Sequence, residues 1–165
     1  MKKILILSTG GTFNKYYDKI EGELLVDGNA SAVKSIAEHW LCELDTDSVI
    51  GKDSLEMDDS DRKVLLERVL SYSDKKIVIV HGTDTMKETA RYLDKHARGI
   101  LIVLTGSMIP YSIDPVEASA NLASAYGFAL ACEKNGIYIA MNGIVEKWDK
   151  MQKDKKAGRF VIAKS

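Results

Sequence analysis

The sequence predicts an α/β fold with three layers, in which a mostly parallel sheet carries helices on both faces. Continuous apolar runs indicate strands that are covered on both sides. Helical patterns separate these runs, and such alternation is typical of a parallel sheet. The strands are expected at Lys3–Ser8, Ser48–Lys52, Lys76–His81, Gly99–Thr105 and Gly136–Asn142, with a further strand at Arg159–Ala163.

Four helices are predicted between the strands, each from apolar spacing and end signals. They are expected at Asn29–Leu44, with Asn29 as N-cap, at Asp59–Tyr72, from a Thr85–Glu88 capping box to Ala97, and at Val116–Lys134. A β-hairpin around Gly22–Gly28 is expected to precede the first helix. The charge-dense stretch Glu146–Lys156 is interpreted as a solvated loop.

Length and composition predict one domain spanning residues 1–165. With 45% hydrophobic residues, 28% charged residues and a net charge of -1, the chain has no general attraction to nucleic acid or anionic membranes. No apolar stretch approaches about 18 residues, so we expect no membrane span and a cytoplasmic protein. Cys42 and Cys132 are interpreted as buried small hydrophobes rather than a disulfide or metal pair.

Three predicted strands end in glycine and hydroxyl residues. The first runs into Gly10-Gly11-Thr12, the second into Gly82-Thr83-Asp84-Thr85, and the third into Thr105-Gly106-Ser107. Because ligands of open α/β sheets bind at the carboxyl ends of the strands, these segments predict one shared polar site.

The usual cofactor motifs are missing, and His39, His81 and His96 lack the spacing of metal ligands, so no cofactor and no metal are expected. His81 ends a strand and could line the site. A threonine hydroxyl becomes a nucleophile when a neighbouring base or amine takes its proton. Thr12 with Thr83, Asp84 and a later lysine therefore predicts acyl transfer by a threonine.

These segments resemble the N-terminal domain of bacterial-type L-asparaginases. The resemblance rests on Ser8–Thr12, His81–Met86 and Thr105–Pro110, with support from Asp114-Pro115 and Ala120–Leu122. It covers essentially the whole chain and about half of a typical family member. It implies an amino-acid substrate and hydrolysis of the side-chain amide of L-asparagine or a related small amide.

The resemblance also implies residue roles. Thr12 matches the threonine that forms the acyl-enzyme, and Thr83 matches the second threonine. Asp84 matches an aspartate that also binds the substrate's α-amino group, and Lys153 falls at the position of the lysine, among several other lysines. The implied substrate-binding residues are Gly11, Ser54, Leu55, Gly82, Thr83, Asp84 and Ser107, with Ser54 on the substrate carboxylate.

Three departures from the family keep alternatives open. Leu55 stands where many members carry a polar residue, which allows a different amide substrate. Tyr16 and Tyr17 come early in the segment of the family's mobile lid, and either or neither could activate Thr12. The smaller C-terminal domain is expected to be absent, so an amino-acid-binding module, or a component of a larger amidotransferase, is the alternative function.

Apolar residues on more than one face of the last helix predict a homodimer or larger homo-oligomer; they are Leu122, Ala125, Phe128, Ala129 and Ala131.

Overall fold

Residues 3–40 and 43–163, which the computed structural model describes, contain a six-stranded sheet covered by helices on both faces. The strands are β1 (Leu5–Gly10), β2 (Lys15–Asp18), β3 (Glu23–Val26), β4 (Asp45–Lys52), β5 (Lys76–Val80), β6 (Leu101–Thr105), β7 (Gly136–Met141), β8 (Ile144–Lys147), β9 (Met151–Asp154) and β10 (Arg159–Ile162). The helices are α1 (Ser31–His39), α2 (Asp59–Ser71), α3 (Met86–His96) and α4 (Pro115–Ala131).

The main sheet has the order β4-β1-β5-β6-β7-β8. Its first five strands are parallel, and β8 returns antiparallel to β7. All residues of the central strands β1, β5 and β6 are buried, as their continuous apolar runs predict. Two further antiparallel pairs, β2–β3 and β9–β10, lie outside this sheet.

The two faces of the sheet have separate cores. On one face α2 and α3 contribute Leu65 and Leu93 to a cluster with alternate residues of the central strands. On the other face α1 and α4 contribute Val33 and Leu122 to a second cluster. This arrangement confirms the predicted three layers.

The connection through α4 differs in handedness from the connection before it. The β5–α3–β6 and β6–α4–β7 connections both step to the next strand in the same direction. Because α3 and α4 cover opposite faces, these two crossovers have opposite hands. Right-handed crossovers are the rule in about 98% of parallel connections. The α4 crossover is the exception, since the connections through α1, α2 and α3 are mutually consistent in hand.

The start of α1 differs from the prediction. The residue before the helix is Ala30 in a left-handed conformation (φ 53°), not Asn29. Asp27 caps this turn instead, because its carboxylate accepts hydrogen bonds from the backbone N–H groups of Asn29 and Ser31. The helix also ends at His39 rather than at Leu44.

The predicted capping box of α3 is wrong. Thr85 precedes the helix but makes no side-chain cap. Its hydroxyl donates instead to the carbonyl oxygen of Ser54 at 2.8 Å, a long-range bond that the local sequence does not reveal. The helix before β7 runs over Pro115–Ala131, slightly earlier than predicted, because Asp114 caps its first turn and Pro115 occupies it.

The charge-dense stretch Glu146–Lys156 is not a solvated loop. It contains the end of β8, a 3-10 turn and β9, which pairs with β10. Buried Met151 and Phe160 anchor this hairpin to the core. The predicted strand at Arg159–Ala163 exists as β10. The hairpin predicted around Gly22–Gly28 exists as β2–β3, but it lies earlier in the chain, since its turn falls between Asp18 and Glu23.

The apolar residues of α4 belong mostly to the core. Leu122, Ala125 and Ala129 are buried against the sheet, and Phe128 packs partly against Tyr138. Of the five residues that predicted an oligomer, only Ala131 is exposed.

Cys132 is a partly buried free thiol, and Cys42 lies outside the described residues. No helix in the described ranges is long and apolar enough to span a membrane.

Candidate active site

Three glycines bring four chain segments into direct contact at the carboxyl edge of the sheet. A methyl group added to Gly11 would lie 2.5 Å from the Cα of Gly82, and one added to Gly82 would lie 2.6 Å from the hydroxyl of Ser54. Likewise, one added to Gly106 would lie 2.4 Å from the carbonyl oxygen of His81. No side chain larger than hydrogen fits at these contacts. The residues that follow the first two glycines are Thr12 and Thr83, so this packing holds the two turns side by side.

Lys153 joins the two polar groups of the turn after β5. Its Nζ donates to the Thr83 hydroxyl at 2.8 Å and to Oδ1 of Asp84 at 2.7 Å. Thr83 is buried, and the Lys153 side chain is only partly exposed. The structure therefore places Lys153, among the neighbouring lysines, beside the predicted threonine and aspartate.

The segment after β6 closes over Thr83. The Thr83 hydroxyl contacts the sulfur of Met108 at 3.6 Å. Glu117 of α4 accepts hydrogen bonds from the backbone N–H groups of Met108 and Ile109, each at 3.1 Å, which fixes this segment. Ser107, predicted to bind substrate, is buried and donates its hydroxyl to the carbonyl of Ile109 at 2.7 Å.

An ion pair connects the β2–β3 hairpin to the turn that carries Ser54. Lys15 Nζ lies 2.6 Å from Oδ2 of Asp53, and this hydrogen bond lowers the pKa of Asp53 below its ordinary value of 3.8. Ser54 is buried and accepts a hydrogen bond from the backbone N–H of Thr85 at 3.4 Å. Leu55, in contrast, is 71% exposed.

The two tyrosines lie on β2 and face opposite sides, because successive side chains of a strand alternate. Tyr16 is 41% exposed and lines a cavity of about 460 Å³ with residues of α1 and Tyr111. Tyr17 is 63% exposed and pairs with Leu24 across the hairpin. Neither tyrosine has a side-chain hydrogen bond within the described part of the chain.

A buried polar chain that the sequence did not predict lies directly behind the turn after β5. His81 has no exposed surface; its Nε2 lies 2.8 Å from the Thr89 hydroxyl, and its Nδ1 lies 2.7 Å from the carbonyl oxygen of Gly82. Arg62 Nε donates to the same Thr89 hydroxyl at 3.2 Å. Burial lowers the pKa of His81 to about 4, so the imidazole is neutral. His81 lies behind the site rather than lining it.

The arrangement combines hydroxyl groups, one ammonium group and one carboxylate at the end of a parallel sheet. Lys153 can exchange a proton with the Thr83 hydroxyl that it touches, and Asp84 stabilises its positive charge. Within residues 3–40 and 43–163, no group of three or more His, Cys, Asp or Glu side chains could hold a metal ion. The chemistry available to these side chains is nucleophilic and acid–base.

The fold and this site define an α/β domain with a threonine–lysine–aspartate constellation at the carboxyl edge of its sheet. The chain belongs to the asparaginase family, since residues 3–159 match the family model described as "Asparaginase, N-terminal". It is 29% identical to L-asparaginase 2 of Escherichia coli over 88% of this chain and 44% of that protein. It is also 30% identical to the L-asparaginase of Thermococcus kodakarensis over 84% of this chain and 43% of that protein.

Solved structures show the same domain. The thermostable L-asparaginase from Thermococcus kodakarensis superposes with a TM-score of 0.82 at 27% identity, over 97% of this chain and 51% of that chain. A probable cytoplasmic L-asparaginase from Campylobacter jejuni, at 24% identity, has the same fold with a TM-score of 0.78. The chain spans about half the length of the relatives that it matches.

Proposed function

We propose that this protein hydrolyses the side-chain amide of L-asparagine, or of a related small amino-acid amide, to the carboxylate and ammonia. The observation that carries the proposal is the position of Lys153, whose ammonium group contacts both Thr83 and Asp84. A lysine held between a hydroxyl and a carboxylate is a proton relay of the kind that threonine acyl transfer requires. Family membership supports the same reaction class.

In the proposed reaction the Thr12 oxygen attacks the amide carbon. A tetrahedral oxyanion forms, and backbone N–H groups of the turn after β5 stabilise it. The C–N bond then breaks, the amide nitrogen takes a proton and leaves as ammonia, and an acyl-Thr12 ester remains. Water hydrolyses this ester and regenerates the hydroxyl, while Thr83, Asp84 and Lys153 move the protons of both steps.

Recognition of the amino acid is assigned to the same turn. Oδ1 of Asp84 accepts a hydrogen bond from Lys153, so Oδ2 remains to accept one from the α-ammonium group of the substrate. Ser54, behind Gly82, is proposed to bind the α-carboxylate. Because exposed Leu55 offers no hydrogen bond beside it, an amide other than asparagine fits the proposal as well.

The test measures ammonia release from L-asparagine and from a panel of small amides. The Thr12→Ala variant is expected to lose at least about 10³-fold in kcat while folding normally, as expected for the loss of a covalent nucleophile. Lys153→Met should lose activity by a comparable factor, whereas Lys155→Met, at an exposed position two residues away, should not. Full activity of Thr12→Ala or Lys153→Met would contradict the mechanism.

A second candidate function is amino-acid binding with little catalysis, alone or as part of a larger amidotransferase. The observation that favours it is that Lys153 contacts Thr83 and Asp84, whereas no hydrogen bond within the described residues connects this lysine to the Thr12 hydroxyl. Calorimetry with L-aspartate separates the two candidates. Binding without ammonia release from any amide of the panel would support the module, and turnover would exclude it.

We also propose that the protein forms a homodimer or a larger homo-oligomer through α4. The outer side of this helix has exposed small or apolar residues at alternating spacings of four and three, the spacing of packed helix pairs. These residues are Val116, Ala120, Ala123, Gly127 and Leu130. A neighbouring subunit in contact with this face would bury these residues.

A further inference from the structure

The polar chain behind the turn after β5 has a fixed direction. An arginine side chain only donates hydrogen bonds, so the Thr89 oxygen accepts from Arg62. The Thr89 hydroxyl hydrogen is then free to point at Nε2 of His81, 2.8 Å away. A carbonyl oxygen only accepts, so Nδ1 of His81 carries the ring hydrogen and donates it to Gly82.

This direction selects one tautomer of His81. With the hydrogen on Nδ1 and a lone pair on Nε2, the neutral ring satisfies both contacts. In the opposite tautomer the lone pair of Nδ1 would face the Gly82 carbonyl oxygen, so two acceptors would meet there. In a fully buried site this mismatch leaves both groups unsatisfied, which favours the Nδ1–H tautomer.

The Gly82 carbonyl, which His81 holds, fixes the direction of the Thr83 N–H in the same peptide group. In a trans peptide the C=O and the following N–H point in opposite directions, and the described residues contain no cis peptide bond. Because the Gly82 carbonyl points at the buried imidazole, the N–H of Thr83 points away from it. No acceptor within residues 3–40 and 43–163 takes this N–H. This N–H belongs to Thr83, whose hydroxyl accepts a hydrogen bond from Lys153.

We infer that the Arg62–Thr89–His81 chain is a positioning device, which holds the Gly82–Thr83 peptide so that the Thr83 N–H serves as an oxyanion donor. This inference rests on the proposed amide hydrolysis for its catalytic consequence. His81, Thr89 and Arg62 are positioning residues, because each acts through the Gly82–Thr83 peptide and none touches the reacting atoms.

The test uses Thr89→Val, which is nearly isosteric and removes the hydroxyl, with Thr89→Ser as the matched control that keeps it. The ¹⁵N NMR spectrum of the His81 ring distinguishes the two tautomers directly, independently of activity. We expect the Nδ1–H form in all three proteins, because the Gly82 carbonyl is unchanged in each. The Nε2 resonance should shift in Thr89→Val and not in Thr89→Ser, because only the valine variant removes the hydroxyl beside that nitrogen. Since deleting an oxyanion donor costs about 10²–10³ in kcat, misdirecting one is expected to lower kcat about tenfold with little change in KM.

A second pair of variants gives an answer if Thr89→Val does not fold. His81→Asn can place an amide N–H near the position of Nδ1 and keep the bond to Gly82, whereas His81→Leu cannot. We expect the asparagine variant to retain several-fold higher kcat than the leucine variant. Equal kcat for the two would overturn the inference.

The outcomes separate this inference from the proposed function. Wild-type kcat in Thr89→Val, or a wild-type that lacks the Nδ1–H tautomer, would overturn the positioning role. A wild-type protein that releases no ammonia would overturn the hydrolase proposal alone. In that case the Nδ1–H tautomer, together with an Nε2 resonance that shifts in Thr89→Val and not in Thr89→Ser, would still support the positioning of the Thr83 N–H.

Discussion

Burial of His81 makes the stability of the fold depend on pH in a defined window. Desolvation, assisted by the positive charge of Arg62, lowers the pKa of this imidazole from 6.5 to about 4. Between these values the unfolded chain binds a proton that the folded chain does not, so stability decreases as the pH falls. Each pH unit is worth about 1.4 kcal/mol, so the folded state should lose about 3 kcal/mol between pH 6.5 and pH 4.

Urea denaturation at a series of pH values from 7.5 to 4 measures this loss as a falling free energy of unfolding. The lowered pKa values of Asp27 and Asp53 predict further losses only below about pH 4, since the ordinary value for these groups is 3.8. His81→Asn should reduce the slope in the upper window, although it lowers stability at neutral pH. His96→Gln, at an exposed histidine, should keep the slope. A flat profile in the wild type, or an equal slope in His81→Asn, would refute the argument.

Three other predictions concern ligand binding, backbone packing and assembly. Asp84→Asn should weaken L-aspartate binding by about 10- to 100-fold in calorimetry, because a charge-assisted hydrogen bond is worth roughly 1.5–3 kcal/mol; equal affinity would leave Asp84 without a role in recognition. Gly11→Ala should destabilise the fold by at least about 2 kcal/mol more than Gly22→Ala, since both glycines have φ 73° but only Gly11 touches another backbone; thermal unfolding decides. Light scattering at micromolar concentration should show at least a dimer that Leu130→Glu, on the outer side of α4, dissociates; a monomeric wild-type protein would exclude the proposed assembly.

Much of the fold could be predicted because the central strands are buried on both faces. Burial on both sides demands continuous apolar residues, and runs such as Ile77–Val80 show this directly. The strand β9 had no comparable signal, because its other residues are polar or charged and only Met151 reaches the core. It was therefore hidden in a stretch with the composition of a loop, whereas the apolar residues of its partner β10 did predict a strand.

The candidate site was predictable where it depends on strand ends and not where it depends on packing between distant segments. Gly-and-threonine turns after two strands pointed to Thr12 and Thr83. The bond from Lys153 joins residues 70 positions apart, and only the resemblance to a family indicated it. Arg62 and Thr89 gave no signal, because an arginine and a threonine on amphipathic helices look like surface residues until the helices pack.

The unusual hand of the α4 crossover determines how the end of β5 can be reached. The chain leaves β1 and β6 toward the face that carries α1 and α4, whereas it leaves β5, between them, toward the face that carries α3. Adjacent strands whose chains leave toward opposite faces form a topological switch point, so β5 has one on each flank. A crossover of the usual hand would have set α4 beside α3 and removed the second one. Ligands of open α/β sheets bind at switch points, so we expect a small molecule to lie against the turn at residues 81–85, above the glycine contacts that hold its base to the neighbouring segments.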